Sequence, residues 1–166
     1  IVLAVYFAIP KRYLRARNGV LLIASLFFYS WGEPVYLFLM VYSIFFNYFM
    51  AIQIYNEQKN GGSGKRNLVF TLIINLFILG FFKYFGFLMD TINGVFGLHI
   101  KYTALSLPIG ISFYTFQALS YILDVYKKTV RPQPNPLKFG LYLSLFPQLI
   151  AGPIVKYRDV AEQLQH

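Results

Sequence analysis

Residues 68–89 read LVFTLIINLFILGFFKYFGFLM and contain a single charged side chain, that of Lys83. As an α-helix this stretch would be roughly 33 Å long, enough to cross the hydrocarbon core of a bilayer. Residues 35–55 form a second apolar stretch without any charge, and residues 103–124 form a third, interrupted near its start by proline and glycine. The sequence therefore predicts three membrane-spanning helices.

The composition of the whole chain agrees with a membrane protein. Of its 166 residues, 57% are hydrophobic and 13% are charged, whereas soluble domains carry about 25% charged residues. The 15 basic residues outnumber the 6 acidic ones and stand in short clusters between apolar stretches. This pattern is typical of membrane proteins and not of a nucleic-acid-binding surface. The chain has no cysteine, so disulfides and thiolate chemistry are excluded.

The distribution of the basic residues predicts an orientation. Eleven of them lie in three alternate loops, whereas the long loop 90–102 holds only Lys101. Because lysine and arginine accumulate in cytoplasmic loops, we place the three basic loops in the cytoplasm and loop 90–102 outside. Residues 19–31 are then a short or tilted helix of a hairpin whose outer tip carries Glu33. The three basic clusters are Lys11, Arg12, Arg15 and Arg17; Lys59, Lys65 and Arg66; and Lys127, Lys128, Arg131 and Lys138.

The last apolar stretch, residues 139–155, is broken by Pro147 and by the pair Gly152-Pro153. A broken backbone at membrane depth is tolerated only where protein buries it or a water-filled cavity satisfies it. Alternating prolines in residues 131–136 predict an extended, stiff cytoplasmic connector before this stretch. We therefore expect residues 139–155 to dip into the membrane from the cytoplasmic side or to lie kinked inside the bundle. The predicted fold is an all-α, polytopic transmembrane helical bundle with short and broken, re-entrant-like helices.

Few side chains in the sequence are suited to catalysis. His99 and His166 have no carboxylate nearby in sequence to orient them, and no metal-ligand spacing or phosphate-binding glycine loop occurs. Lys83 is expected to extend toward the membrane interface. Asp124 is expected to form an ion pair with the lysines that follow it.

A polar face on the third predicted span is the remaining candidate site. Tyr114, Gln117 and Tyr121 share one side of a helix by their three- and four-residue spacing. They would either line a wet path for a polar substrate or hydrogen-bond neighbouring helices, as polar side chains in bundles commonly do. Both interpretations stay open at this point.

Three motifs, in residues 107–117 (LPIGISFYTFQ), 121–126 (YILDVY) and 146–159 (FPQLIAGPIVKYRD), resemble the membrane-bound O-acyltransferase family. The resemblance implies a multi-pass transferase of the bacterial inner membrane. Such an enzyme would move an acyl group, for example acetyl, from a cytoplasmic donor such as acetyl-CoA or an acyl carrier to a hydroxyl of an extracellular polysaccharide such as alginate. The resemblance implies no bound cofactor. The implied partners are the lipid bilayer, the polysaccharide acceptor and other polysaccharide-acetylation proteins, but no nucleic acid.

The resemblance also sets expectations for the site. Members of the family place an essential histidine after the Gly-Pro-Ile motif found at residues 152–154, so neither histidine of this chain inherits that role. We expect residues 1–166 to be the N-terminal part of a single multi-pass acyltransferase domain, truncated at both ends and inactive alone. The candidate cavity-lining residues are Tyr114, Gln117, Tyr121, Pro147, Gln148, Gly152 and Pro153, and the candidate donor-side cations are Lys156 and Arg158.

Alternative interpretations accompany these expectations. Lys156 and Arg158 are also explained by the ordinary excess of positive charge in cytoplasmic loops. Broken helices and wet polar faces also serve transport, so the alternative function is a transporter or export-channel component for polysaccharide or acyl groups. A non-enzymatic membrane scaffold for polysaccharide assembly is a third possibility.

Overall fold

The computed structural model describes residues 8–9, 13–32, 34–97, 101, 107–108, 110–145 and 157. In these residues the chain forms five α-helices and no β-strand, which confirms the predicted all-α class. The helices are α1 (Leu14–Gly32), α2 (Leu37–Lys59), α3 (Lys65–Phe96), α4 (Ile111–Tyr126) and α5 (Pro136–Ser144).

Two of the helices, α2 and α3, are long and apolar enough to cross a membrane. α2 has 23 residues and α3 has 32, so α3 is about 48 Å long and exceeds the hydrocarbon thickness of a bilayer. Only 22% of the most apolar stretch of α3 is buried within the chain, and Phe77 and Phe87 are 67% and 69% exposed. Exposed apolar surface of this kind is typical of contact with lipid or with another protein segment.

Helix α3 extends further than the sequence predicts. The prediction placed residues 90–96 in an outer loop, but these residues continue the helix to Phe96, so the loop prediction is wrong for them. No proline interrupts this stretch, and the hydroxyl of Thr91 donates a 2.7 Å hydrogen bond to the Phe87 carbonyl one turn earlier. The helix ends at Gly97, whose φ of 62° is left-handed, as is common after a helix C-terminus.

Helix α4 is shorter than predicted, whereas α1 is longer. The expected third span, residues 103–124, appears as a helix of 16 residues that begins at Ile111 and is about 24 Å long. Gly110 precedes it with a φ of 75°, which glycine adopts without a Cβ clash. Because α4 is not among the helices long enough to cross a membrane alone, the predicted length of the third span is wrong. α1 begins at Leu14 and has 19 residues, so it starts before the predicted residue 19.

The interior of the described bundle is formed mainly by α2, α4 and α5. α4 packs against both α2 and α3, while α5 packs against α1 and α2. Helix α3 therefore flanks this interior and keeps most of its apolar surface on the outside. The most deeply buried apolar side chains, each at most 1% exposed, include Met40, Ile54, Ile122, Val125, Phe139 and Leu143.

The connector between α4 and α5 enters the bundle. Residues 131–135 are non-helical, as the alternating prolines predict, but Gln133 is only 3% exposed. The carbonyl oxygen of Pro134 accepts a 2.9 Å hydrogen bond from the hydroxyl of Tyr48, which lies about 16 Å before the C-terminal end of α2. The predicted cytoplasmic location of this connector is therefore wrong for these residues.

Helix α5 starts inside the bundle and stays buried. Pro136 lies in its first turn, and the side chain of Asn135 accepts a 2.9 Å hydrogen bond from the backbone N–H of Leu137, which caps the helix. Every residue from Phe139 to Ser144 is buried. The described part of the broken segment thus agrees with the prediction of a position inside the bundle, while residues 146–156 lie outside the described residues.

Candidate functional site

The predicted polar face of α4 is buried against α5 and the connector. Tyr114, Gln117 and Tyr121 are 1%, 3% and 0% exposed. The Nε2 of Gln117 donates a 2.9 Å hydrogen bond to the carbonyl oxygen of Tyr142, which belongs to the last turn of α5, where carbonyls lack partners within the helix. Gln117 therefore hydrogen-bonds a neighbouring helix, as the packing interpretation expects, and its cavity-lining role stays a prediction.

An aromatic cluster surrounds Tyr121 where α4, the connector and α5 meet. The ring centroid of Tyr121 lies 4.7 Å from that of Phe139 and 4.9 Å from that of Tyr157, and the Tyr142 and Tyr157 centroids are 5.2 Å apart. These separations are typical of favourable aromatic pairs. The hydroxyl of Tyr121 accepts a 2.9 Å hydrogen bond from the backbone N–H of Gln133, and the Nε2 of Gln133 donates a 2.8 Å hydrogen bond to the hydroxyl of Tyr157. Two tyrosines thus hold the connector inside the bundle.

A second buried polar group joins α2 to α3. The side-chain amides of Asn47 and Asn75 donate to each other's oxygens at 3.1 and 2.9 Å. Each amide also donates to a carbonyl one turn earlier in its own helix, that of Ser43 at 2.8 Å or Thr71 at 2.9 Å. Because both amides are paired in this reciprocal way, the group locks the register of the two long helices.

The sequence analysis did not single out this pair, nor the roles of Gln133 and Tyr157. A signal for the pair existed, because Asn75 is the only amide side chain in residues 68–89 and buried amides in apolar helices commonly bond across a helix interface. No comparable signal marked Gln133, which stood among prolines in a stretch assigned to the cytoplasm.

Asp124 and Lys83 differ in how their expected roles compare with the structure. The Oδ2 atom of Asp124 is buried and has no hydrogen-bond partner among the described residues, while the side chains of Lys127 and Lys128 are exposed. This oxygen does not make the predicted ion pair with those lysines. The Nζ of Lys83, on the exposed side of α3, lies 5.7 Å from the centroid of the Tyr84 ring, within the range of a cation–π interaction.

Several predicted site residues lie outside the part of the chain that the structure describes, and their roles stay predictions. They are Glu33, His99, Pro147, Gln148, Gly152, Pro153, Lys156, Arg158 and His166.

Replacement of Tyr121 by phenylalanine should destabilise the protein by about 1 kcal/mol, because the buried N–H of Gln133 would lose its acceptor. The measurement is thermal unfolding of the complete protein in detergent. Tyr42→Phe is the matched control, since Tyr42 is 45% exposed and its substitution should leave the unfolding temperature unchanged. Equal unfolding temperatures for Tyr121→Phe and the wild type would contradict the role given to the Tyr121 hydroxyl.

The chain is similar in sequence to proteins named for O-acetyl transfer. The probable alginate O-acetylase of Pseudomonas aeruginosa is 37% identical over 99% of this chain and 32% of its own length, and that of Azotobacter vinelandii is 38% identical over 99% and 33%. The peptidoglycan O-acetyltransferase of Helicobacter pylori is 38% identical over 87% of this chain and 32% of its own length. The chain thus spans about a third of the length of the curated relatives it matches. No protein-family model and no solved structure matches it.

Proposed function

We propose that this chain is part of a membrane-bound O-acyltransferase that transfers acetyl groups to hydroxyls of an extracellular polysaccharide. The observation that carries the proposal is the 37–38% identity, over nearly the whole chain, to probable alginate O-acetylases. The similar peptidoglycan O-acetyltransferase shares the reaction but differs in the acceptor. The reaction is therefore better supported than the polymer, and alginate is the first acceptor to test.

The proposed location is the bacterial inner membrane, with several spans and the basic loops in the cytoplasm. The apolar helices α2 and α3 support a membrane location. The Nε2 of Gln58, near the C-terminal end of α2, donates a 2.9 Å hydrogen bond to the carbonyl oxygen of Tyr126 at the end of α4. Two of the basic loops, those that follow α2 and α4, therefore begin at the same end of the bundle, as the predicted orientation requires.

The proposed role of this chain is to form one wall of the active site. Acetyl transfer requires the acceptor hydroxyl to be held next to the acyl carbonyl, with a general base in reach. We assign the base to a histidine outside residues 1–166, and the wall to the α4 face that includes Gln117, together with residues 147–153. In this scheme Lys156 and Arg158 face the cytoplasmic donor, acetyl-CoA or an acyl carrier, and other polysaccharide-acetylation proteins act on the outer side.

The names of the relatives favour this proposal over the transporter alternative, because each of them names group transfer and none names transport. The test follows acetyl esters on extracellular polysaccharide from cells that carry the complete gene. We expect acetylation with the wild-type gene and none when the histidine of a downstream apolar helix is replaced by alanine. Equal acetylation by the two strains would remove the enzyme proposal.

Replacement of Gln117 by leucine tests the wall assignment. We expect acetyl transfer per folded molecule to fall severalfold, and stability to fall by about 1 kcal/mol because the carbonyl of Tyr142 loses its donor. The control is Leu119→Ala, which removes a buried apolar side chain of the same helix and should reduce the amount of folded protein without reducing transfer per folded molecule. If Gln117→Leu also left transfer per folded molecule unchanged, Gln117 would be a packing residue only.

A further inference from the structure

A basic cavity lies where the C-terminal end of α2 meets the turn that follows α4. Its volume is about 250 Å³, and it is lined by Tyr55, Gln58, Lys59, Lys128, Val130 and Arg131. Three of the six lining side chains are cations and none is an acid. The cavity therefore presents concentrated positive charge to whatever enters it.

Local structure, and not chance proximity, brings these cations together. The hydrogen bond from Gln58 to the carbonyl of Tyr126 holds the ends of α2 and α4 side by side. Gln58 also donates to the carbonyl of Ser63 at 3.4 Å, so its amide faces two turns at once. Lys59 alone has an ordinary explanation, since a cation at a helix C-terminus interacts favourably with the helix dipole. That explanation does not extend to Lys128 and Arg131, which lie beyond the end of α4.

Lys128 has an unusual backbone conformation. Its φ of 60° is the only positive value among the described non-glycine residues. The N–H groups of Lys128 and Thr129 donate to the carbonyls of Val125 and Asp124 at 3.0 and 2.9 Å, which is the hydrogen-bond pattern of a helix end that normally carries glycine. A lysine there is strained relative to glycine. The strain is explained if its ammonium group is needed in the cavity.

We infer that this cavity binds a phosphate group at the cytoplasmic surface of the membrane. Arginine binds phosphate oxygens through two parallel N–H donors, and lysine adds point charge. Tyr55 lies beside the cations at the end of a membrane-length helix, where aromatic side chains are typical of the headgroup level. The phosphate arrives either on the headgroup of an anionic lipid or as a soluble phosphate from the cytoplasm, and both present the same chemistry to the site.

This site is separate from acetyl transfer, and its test does not depend on the proposed activity. The complete protein is reconstituted in nanodiscs of phosphatidylcholine with or without phosphatidylglycerol, and retained phosphatidylglycerol is counted by native mass spectrometry. A second arm measures binding of inorganic phosphate in the absence of phosphatidylglycerol. The variants are Lys128→Gly and Arg131→Ala.

Lys128→Gly removes the cation while relieving the left-handed backbone, so its folding should be at least as favourable as that of the wild type. The matched control is Lys127→Ala, which makes the same change in charge at the neighbouring exposed lysine, outside the lining of the cavity. We expect both cavity variants to bind at least tenfold more weakly than Lys127→Ala. Loss of phosphatidylglycerol identifies the lipid source, and loss of inorganic phosphate identifies the soluble source. Equal binding by the cavity variants and the control, or no binding of either probe by the wild type, would overturn the inference.

Discussion

Replacement of Gly140 by leucine should destabilise the protein by about 3 kcal/mol, because a large side chain cannot be added to a closely packed interior without displacing its neighbours. Gly140 is buried in α5 where this helix meets α1 and α2. A Cβ at this position would lie 3.5 Å from the Cγ2 of Ile44 and 3.5 Å from the Cδ1 of Leu22. These are ordinary contact distances, so a methyl group fits, but the remaining carbons of leucine have no space.

Gly140→Ala is therefore the matched control. We expect it to change the free energy of unfolding by less than about 1 kcal/mol, with the higher helix propensity of alanine favouring a gain. A second control is Gly94→Leu, since a Cβ at Gly94 meets nothing within 4 Å. The measurements are unfolding in detergent and acetylation of polysaccharide in cells, which Gly140→Leu should abolish. If Gly140→Leu unfolded like the wild type, α5 would not pack against α1 and α2 as described.

Replacement of Asn47 by alanine should destabilise the contact between α2 and α3 by about 2 kcal/mol. Two reciprocal hydrogen bonds are lost, and the buried amide of Asn75 keeps only its bond within α3. Leaving a buried polar group without its partner costs more than the net contribution of a typical hydrogen bond. Measured interhelical bonds in membranes contribute roughly 0.6 kcal/mol on average, up to about 1.7, so a reciprocal pair lies at the upper end.

The double substitution of leucine for Asn47 and Asn75 separates this effect from a loss of packing. Because both polar partners are then removed together, the double variant should be more stable than either single leucine variant. The control on the same helix is Asn56→Ala, an exposed position expected to lie within about 0.5 kcal/mol of the wild type. Additive effects of the two asparagine substitutions would show that the amides do not interact.

The membrane helices illustrate what a local pattern predicts well. The central parts of α2 and α3 match the predicted apolar stretches, because hydrophobic length is written in consecutive residues. Their ends differ, since residues 90–96 continue α3. Charge and loop position predicted an outer loop there, but the helix ends only where Gly97 turns left-handed. Helix ends depend on backbone conformation, which composition reflects weakly.

The candidate site was predictable only as a set of residues on one face. The spacing of Tyr114, Gln117 and Tyr121 correctly placed them on the same side of α4, because helical geometry alone determines which residues share a face. What that face contacts was not predictable. The connector with Gln133 was assigned to the cytoplasm from its prolines, yet Tyr121 and Tyr157 hydrogen-bond it inside the bundle.

The sequence by itself determined the all-α class, the two long apolar helices and the separation of basic clusters from apolar stretches, because each depends on the identity of neighbouring residues. The tertiary structure decided where α4 begins, the burial of the connector, the pairing of Asn47 with Asn75, and the assembly of Lys59, Lys128 and Arg131 around one cavity. Each of these joins residues that are far apart in the chain. Burial and charge concentration arise from which segments meet in space, and no local pattern in the sequence contains that information.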